Sequence, residues 1–242
     1  MGEAKRRRSS GHADDGRAEA ARRQRIKRFG LIGLVLVVVG LLVMLAWPRQ
    51  SQEPIELPPE AGRFPEEADV FGVHLGDPQA PVVVREFADF QCPGCANFAQ
   101  HHQRLREEYI DTGKVRLVFF ELPLPQHRNA MPAALAARCA GDQGNYWGMS
   151  AKLFENQARW AAELNPLSHF VDYAKDLGLH EGRFEQCVQR EHRREQIEES
   201  VVVARQIRVA STPTVFVDNR PLNRLGWEQL SATIEDQLAR QP

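Results

Sequence analysis

The sequence predicts an α/β domain with an all-helical insertion, preceded by a single transmembrane helix and a flexible linker. Three observations carry this prediction. A strand–helix–strand pattern occupies residues 81–120, strand signals are absent from about 127–207, and residues 29–48 contain no charged side chain. Alternating apolar residues indicate strands, and apolar residues at helical spacing indicate helices. The predicted α/β domain covers residues 70–242.

Charge is distributed unevenly along the chain. The formal net charge is −1, yet residues 1–28 hold ten Lys and Arg against four Asp and Glu, so the remainder is acidic overall. We interpret residues 1–28 as a basic cytoplasmic tail. Because the basic excess stays in this tail, nothing predicts nucleic-acid binding by the main domain.

The uncharged stretch at residues 29–48 is rich in Leu, Val and Ile. Its length is about enough to cross a hydrocarbon core of roughly 30 Å. Basic residues precede it, so the positive-inside rule places the N-terminus in the cytoplasm and the later domain outside the inner membrane, in the periplasm. A cleaved signal peptide is the alternative. A long basic tail and no small-x-small site near residues 46–48 favour an uncleaved, single-pass signal anchor.

Residues 49–69 contain several prolines with Glu and Gln, which predicts a semi-extended tether. After it, residues 81–88 form a predicted strand in which Glu86 shares a face with Val82 and Val84. Residues 115–120 form a second, nearly continuous apolar strand. The helix between them implies a parallel pair with a right-handed crossover. His101 and His102 of this helix are interpreted as solvated or boundary side chains.

The second half of the chain is predicted to be helical until its last strand. Four helical segments fill the insertion at about 127–207. A strand at 214–217, a turn and an amphipathic helix at 227–238 follow.

The sequence Cys92-Pro93-Gly94-Cys95 carries the chemistry that the chain predicts. It follows the first strand and opens a helix, where unpaired N–H groups and the helix dipole favour a thiolate at the first cysteine. Two thiols one helical turn apart can form a disulfide or stand open, and can pass a disulfide in either direction. Taken alone, the pair could also be half of a zinc site or a structural crosslink. Asp89, just before it, is interpreted as a loop or capping residue.

Over residues 70–240 the pattern resembles the thioredoxin fold, and with its helical insertion it resembles the membrane-anchored DsbA-like thiol:disulfide oxidoreductases. The resemblance rests on four stretches: residues 87–95, residues 139–147, Leu153-Phe154 and Ser211-Thr212-Pro213-Thr214. It implies that Cys92 is the exposed nucleophile and that Cys95 resolves mixed disulfides. It also implies that Pro213 is a cis-proline facing the cysteines, with Thr212 contacting substrate.

The same resemblance assigns roles to other residues near the cysteines. Glu86 stands where relatives carry a buried acid, which implies that it relays a proton to or from Cys95. A rim carboxylate paired with Lys or Arg is the alternative. Pro93 and Gly94 would contact substrate, but this pair departs from the Pro-His pair of the best-known oxidants. The departure leaves the strength of the oxidant open.

Cys139 and Cys187 make the cysteine count even, which favours a second disulfide in an extracytoplasmic domain. Some relatives have a structural bridge in this region. Closing a loop of about 49 residues could stabilise the fold by roughly 4 kcal/mol at most. A four-thiolate zinc site is the alternative, but the two cysteines are far apart in sequence, so no metal and no cofactor are expected.

The sequence therefore predicts an oxidase whose substrates are unfolded or reduced secreted proteins and which a membrane quinone-linked partner reoxidises. The same chemistry run as a reductase or isomerase is the first alternative, because reduction potentials set the direction. A non-catalytic folding helper or metal chaperone is the second. Copper would require Met or His near the cysteines, and residues 92–98 contain neither.

Overall fold

The computed structural model describes residues 64–241, which form one five-stranded sheet with helices around it. The strands lie in the order β1-β3-β2-β4-β5. Their bounds are β1 Val73–Leu75, β2 Val82–Ala88, β3 Val115–Glu121, β4 Thr214–Val217 and β5 Arg220–Pro221. The helices are α1 Pro93–Ala99, α2 His102–Leu105, α3 Ala130–Gly141, α4 Tyr146–Glu155, α5 Gln157–Trp160, α6 Leu167–Asp176, α7 Glu181–Gln189, α8 Arg194–Gln206 and α9 Trp227–Ala239.

The predicted α/β architecture is confirmed. Strands β2 and β3 pair in parallel, in a register that runs from Val82 opposite Val115 to Ala88 opposite Glu121. Strand β4 lies antiparallel on the other side of β2. The edge strands β1 and β5 did not emerge from the sequence, because three and two residues are too short to show a period of two.

The helix that follows the cysteines is less regular than its sequence predicts. A turn with a His101 N–H to Phe98 carbonyl hydrogen bond of 2.9 Å separates α1 from α2. A π-helical turn, Arg106–Ile110, continues α2. The segment ends at Gly113, whose φ of 74° lies in the left-handed region that favours glycine.

The insertion predicted at about 127–207 is helical throughout, from α3 to α8. Its core joins the core of the sheet and includes the fully buried Trp160, Phe170 and Phe184. A disulfide between Cys139 of α3 and Cys187 of α7 crosslinks it, with the Cα atoms 5.8 Å apart. Two of the four thiols are thereby consumed, so the four-thiolate zinc alternative is wrong.

The folded domain starts earlier than residue 70, where the sequence predicts that it begins. Phe64 is 5% exposed, and its ring lies 6.1 to 6.3 Å from those of Phe87, Phe120 and Phe216. A 3₁₀ helix follows at Glu66–Phe71. The end of the predicted linker at residue 69 is therefore wrong, because its last residues pack against the sheet.

The predicted basic tail, the predicted transmembrane span at 29–48 and most of the predicted linker lie outside the described residues. Within residues 64–241, we find no helix of the length and apolar character that a membrane crossing requires.

Candidate active site

The two cysteines of the motif lie at the end of the central strand β2. Cys92 caps helix α1 in an extended conformation, and Pro93 is the first helical residue, where its missing N–H costs nothing. Both thiols are free. Cys92 is half-buried and Cys95 is fully buried. The pair therefore offers one accessible sulfur and one sheltered sulfur.

Cys95 is fully buried at the start of helix α1. The backbone N–H of Asp89 donates to its Sγ over 3.4 Å. Burial raises the pKa of the Cys95 thiol far above its ordinary value of 9.0, and the Asp89 amide only partly opposes this. In the dithiol form Cys95 therefore holds its proton, so it needs a proton acceptor before it can act as a nucleophile.

Cys92 faces the peptide bond between Thr212 and Pro213, which is cis. Its thiol donates to the Thr212 carbonyl over 3.4 Å. Gly94 lies against the same bond: a Cβ at this position would be 3.2 Å from Cδ of Pro213 and 3.6 Å from Sγ of Cys92. The structure thus brings four of the predicted site residues together, and glycine leaves the space around the accessible sulfur open.

Glu86 is fully buried in β2, where the sequence pattern places it on an inward face. Its Oε2 lies 2.7 Å from Nε2 of His102, and its Oε1 is buried without a hydrogen-bond partner among the described residues. The alternative of a rim carboxylate paired with Lys or Arg is therefore wrong. His102 does lie at the boundary of the core, with 20% of its side chain exposed, but its pairing with an acid was not predicted.

Asp89 is more than a local capping residue. Its buried carboxylate accepts from the Gln91 N–H at 2.7 Å and from the Leu124 N–H at 2.9 Å. It also lies 2.7 Å from Nδ1 of His127. One side chain thereby fixes the loop before Cys92 and the loop after β3.

The insertion holds the site loop through side-chain amides that no sequence pattern indicates. Gln157 donates from Nε2 to the carbonyls of Phe90 and Cys92, at 2.7 and 3.0 Å. Gln91 donates to the carbonyl of Ala161 at 2.8 Å. These partners are 65 to 70 residues apart in sequence, and no local pattern announces them.

The described residues offer thiol chemistry and show no metal centre. Among residues 64–241 no three His, Cys, Asp or Glu side chains are grouped so that they could hold a metal ion. A reactive thiol beside a buried partner thiol can attack a disulfide, form a mixed disulfide and then be displaced. The geometry supports both directions of this exchange.

Two relatives illustrate what the chain is similar to. It is 38% identical over 146 residues to Na(+)/H(+) antiporter NhaA 1 of Salinispora arenicola, covering 60% of this chain and 21% of that protein. This chain thus spans about a fifth of the antiporter's length. It is 27% identical over 169 residues to disulfide bond formation protein D of Bacillus subtilis, covering 68% of this chain and 76% of that protein.

Solved structures give the same architecture. Oxidised BdbD from Bacillus subtilis superposes with a TM-score of 0.65 at 25% identity, covering 74% of this chain and 97% of that one. Wolbachia pipientis alpha-DsbA1 superposes with a TM-score of 0.62 at 23% identity, covering 69% and 90%. The predicted DsbA-like fold with its helical insertion is thereby confirmed. A family model described as thioredoxin matches residues 69–236. Since that match covers more than half of the sequence, the chain belongs to the thioredoxin family.

Proposed function

We propose that the protein is an extracytoplasmic thiol:disulfide oxidoreductase that donates the Cys92–Cys95 disulfide to reduced secreted proteins. The observation that carries the proposal is the pairing of an accessible Cys92 with a buried Cys95 beneath the cis Thr212–Pro213 bond. The names of two similar proteins, a disulfide bond formation protein and a DsbA, support the same activity.

The exchange proceeds in two displacements. A client thiolate attacks Sγ of Cys92 in the Cys92–Cys95 disulfide, that S–S bond breaks, and the electron pair leaves on Cys95, which takes up a proton. A second client thiolate then attacks the client sulfur of the mixed disulfide and releases Cys92 as a thiolate. The client is oxidised by two electrons and the enzyme is reduced by two.

The surface around Cys92 suits an extended client. Pro93 and Gly94 are exposed, and the Thr212 carbonyl already accepts from the Cys92 thiol. A client sulfur that replaces this contact would bring its own backbone alongside Thr212 and Pro213. We assign substrate contact to Pro93, Gly94, Thr212 and Pro213. Cys92 is the nucleophile, and Cys95 supplies the resolving thiol.

The rest of the proposal concerns place and partners. We propose that residues 29–48 anchor the protein in the inner membrane, with the 1–28 tail in the cytoplasm and the catalytic domain outside. A membrane quinone-linked partner would then reoxidise the Cys92–Cys95 dithiol. The hydropathy and the charge distribution of the sequence support this arrangement.

The direction of exchange is tested by the reduction potential of the Cys92–Cys95 pair, measured against glutathione. An oxidase requires a potential well above the value of about −270 mV typical of thioredoxin. A potential near that of thioredoxin would instead make the protein a reductase.

The exchange itself is tested by trapping. The Cys95→Ser variant retains the nucleophile but cannot resolve. Offered a client that carries a disulfide, its Cys92 should attack one client sulfur, the other should leave as a thiolate, and the mixed disulfide should accumulate, while Cys92→Ser, the matched control, should form none. Failure of Cys95→Ser to trap any client would contradict the mechanism.

A further inference from the structure

A cavity of about 630 Å³ lies behind the cysteine helix. It opens between the α1–α2 segment and helix α4. Its walls include Ala96, Ala99, Trp147 and Phe154. His102 also lines it. None of the activities proposed above uses this space.

His102 connects the cavity to a group that is otherwise sealed. Its Nε2 is 2.7 Å from Oε2 of Glu86, whose side chain has no exposed surface. The imidazole packs edge-on against the rings of Phe98, Phe119 and Phe154, at centroid distances of 6.0 to 6.4 Å. These contacts hold one ring nitrogen on the acid, while 20% of the side chain reaches the surface.

Glu86 is electrostatically coupled to the resolving thiol. Its negative charge is one of the causes that raise the pKa of Cys95, together with burial and the Cys92 thiolate. Its Oε1 has no hydrogen-bond partner among residues 64–241, so one carboxylate oxygen is free to take a proton. Glu86 itself has no contact with solvent, whereas its partner His102 does.

We propose that His102 is a positioning residue that carries protons between the cavity and Glu86 during oxidation and reduction of Cys95. The inference rests on the proposed function and deepens it. An imidazole suits this task because one ring nitrogen can accept a proton while the other releases one. The proton then travels between two nitrogen atoms of the same ring, Nε2 at Glu86 and Nδ1 at the cavity.

The proton balance of the resolving step follows. Glu86 accepts the proton of the Cys95 thiol, and the Cys95 thiolate attacks Sγ of Cys92 in a mixed disulfide. The bond between Cys92 and the partner sulfur breaks, and the partner leaves as a thiolate. Glu86 passes its proton to Nε2 of His102, and the proton on Nδ1 leaves through the cavity. Formation of the dithiol runs the same steps backwards.

Other titratable groups face this path and bear on its pH dependence. From the helical segment, His101 and Arg106 lie beside His102, and Glu155 of α4 lines the cavity. Burial lowers the pKa of His101, with a further contribution from His102. Tyr146, which interacts electrostatically with Glu86, stays a neutral phenol because burial raises its pKa well above 10.0. His102 is thus the side chain that contacts both the cavity and the acid.

The test measures the rate of the resolving step alone. This rate is followed as release of glutathione from a Cys92–glutathione mixed disulfide between about pH 5 and about pH 8. General acid–base assistance contributes roughly 10²- to 10⁴-fold, so His102→Ala should slow this step at least tenfold. Added imidazole should restore most of the rate, because the enlarged cavity admits it. His102→Gln, which can still hydrogen-bond to Glu86 but has no ring nitrogens to exchange a proton, should also be slow.

The controls separate this role from a structural one. Gln103→Ala alters a neighbouring cavity residue that contacts Glu107 rather than Glu86, and should resolve at the wild-type rate. Wild-type rates in His102→Gln would overturn the proposal, as would a slow His102→Ala that imidazole leaves unchanged. Either result leaves the proposed function intact if the wild-type protein exchanges disulfides. Loss of exchange in the wild type would instead refute the proposed function itself.

Discussion

The backbone N–H of Asp89 points at the buried sulfur of Cys95 and donates a hydrogen bond to it across 3.4 Å. The contact weakly stabilises a thiolate that burial strongly disfavours. The resolving cysteine therefore stays protonated in the reduced protein and loses its proton only during disulfide exchange.

The raised pKa of Cys95 predicts that the stability of the reduced protein depends on pH. The pKa of Cys95 is raised above 9.0 in the folded state, so below pH 9.0 the thiol is protonated in both states and costs nothing. Above pH 9.0 the unfolded chain loses the proton and the folded chain keeps it. The free energy of unfolding should then fall by roughly 1.4 kcal/mol for each pH unit.

Urea unfolding of reduced wild type and of reduced Cys95→Ala at several pH values above 9.0 measures this slope. Because Cys92 is present in both proteins, the difference reports Cys95 alone. Equal slopes for the two proteins would show that the buried thiol ionises as easily as a free one.

Gln157 should be required for a well-ordered nucleophile. Gln157→Ala leaves the carbonyls of Phe90 and Cys92 without their donor, which should reduce the free energy of unfolding by about 1 to 3 kcal/mol. Gln157→Glu should cost more, because a carboxylate would face two carbonyl oxygens. Denaturant unfolding and the rate of reaction of Cys92 with a small disulfide measure both effects.

The matched control is Gln189→Ala. Gln189 is exposed and contacts only Glu185 of its own helix, so its loss should change neither stability nor rate. An effect of equal size in both variants would mean that the Gln157 contacts carry no special weight.

The Cys139–Cys187 disulfide should support stability and leave the exchange chemistry alone. Replacing both residues with Ala removes a crosslink spanning 48 residues, which should reduce the free energy of unfolding by up to about 4 kcal/mol. The reduction potential of Cys92–Cys95 should stay unchanged, since the crosslink joins α3 to α7 within the insertion. A shift in that potential would instead reveal coupling between the bridge and the site.

Asp89 should matter through its carboxylate as well as its amide. Asp89→Ala leaves the Gln91 and Leu124 amides without acceptors and should cost about 2 to 4 kcal/mol of stability. Asp89→Asn keeps one carbonyl oxygen and should cost less. Thermal and urea unfolding of the two variants decide the order, and a less stable Asn variant would contradict this account of the loop.

The sequence could predict what is local. Alternation in residues 82–88 and the apolar run at 115–120 indicate strands because each pattern completes within a few residues. The placement of Cys92 at a helix start follows in the same way, from Pro93 and the residues after it. Chemistry that depends on a single helix terminus is readable without any tertiary structure.

Contacts between distant elements could not be read in this way. His102 reaches Glu86 across sixteen residues and two elements, so its position on a helix surface suggested a solvated side chain. The packing of Phe64 depends on rings supplied by three strands. The proline-rich sequence before residue 64 contains no pattern that predicts this packing.

The backbone amide of Phe64, the first described residue, is held at the end of β2 that lies away from the reactive sulfur. The Phe64 amide is held by Asn219, in the β4–β5 turn, and that turn lies beside Val83 at the start of β2. Cys92 follows the opposite end of the same strand. Client contacts at Cys92 and the hydrogen bond that holds the Phe64 amide therefore lie at opposite ends of the central strand.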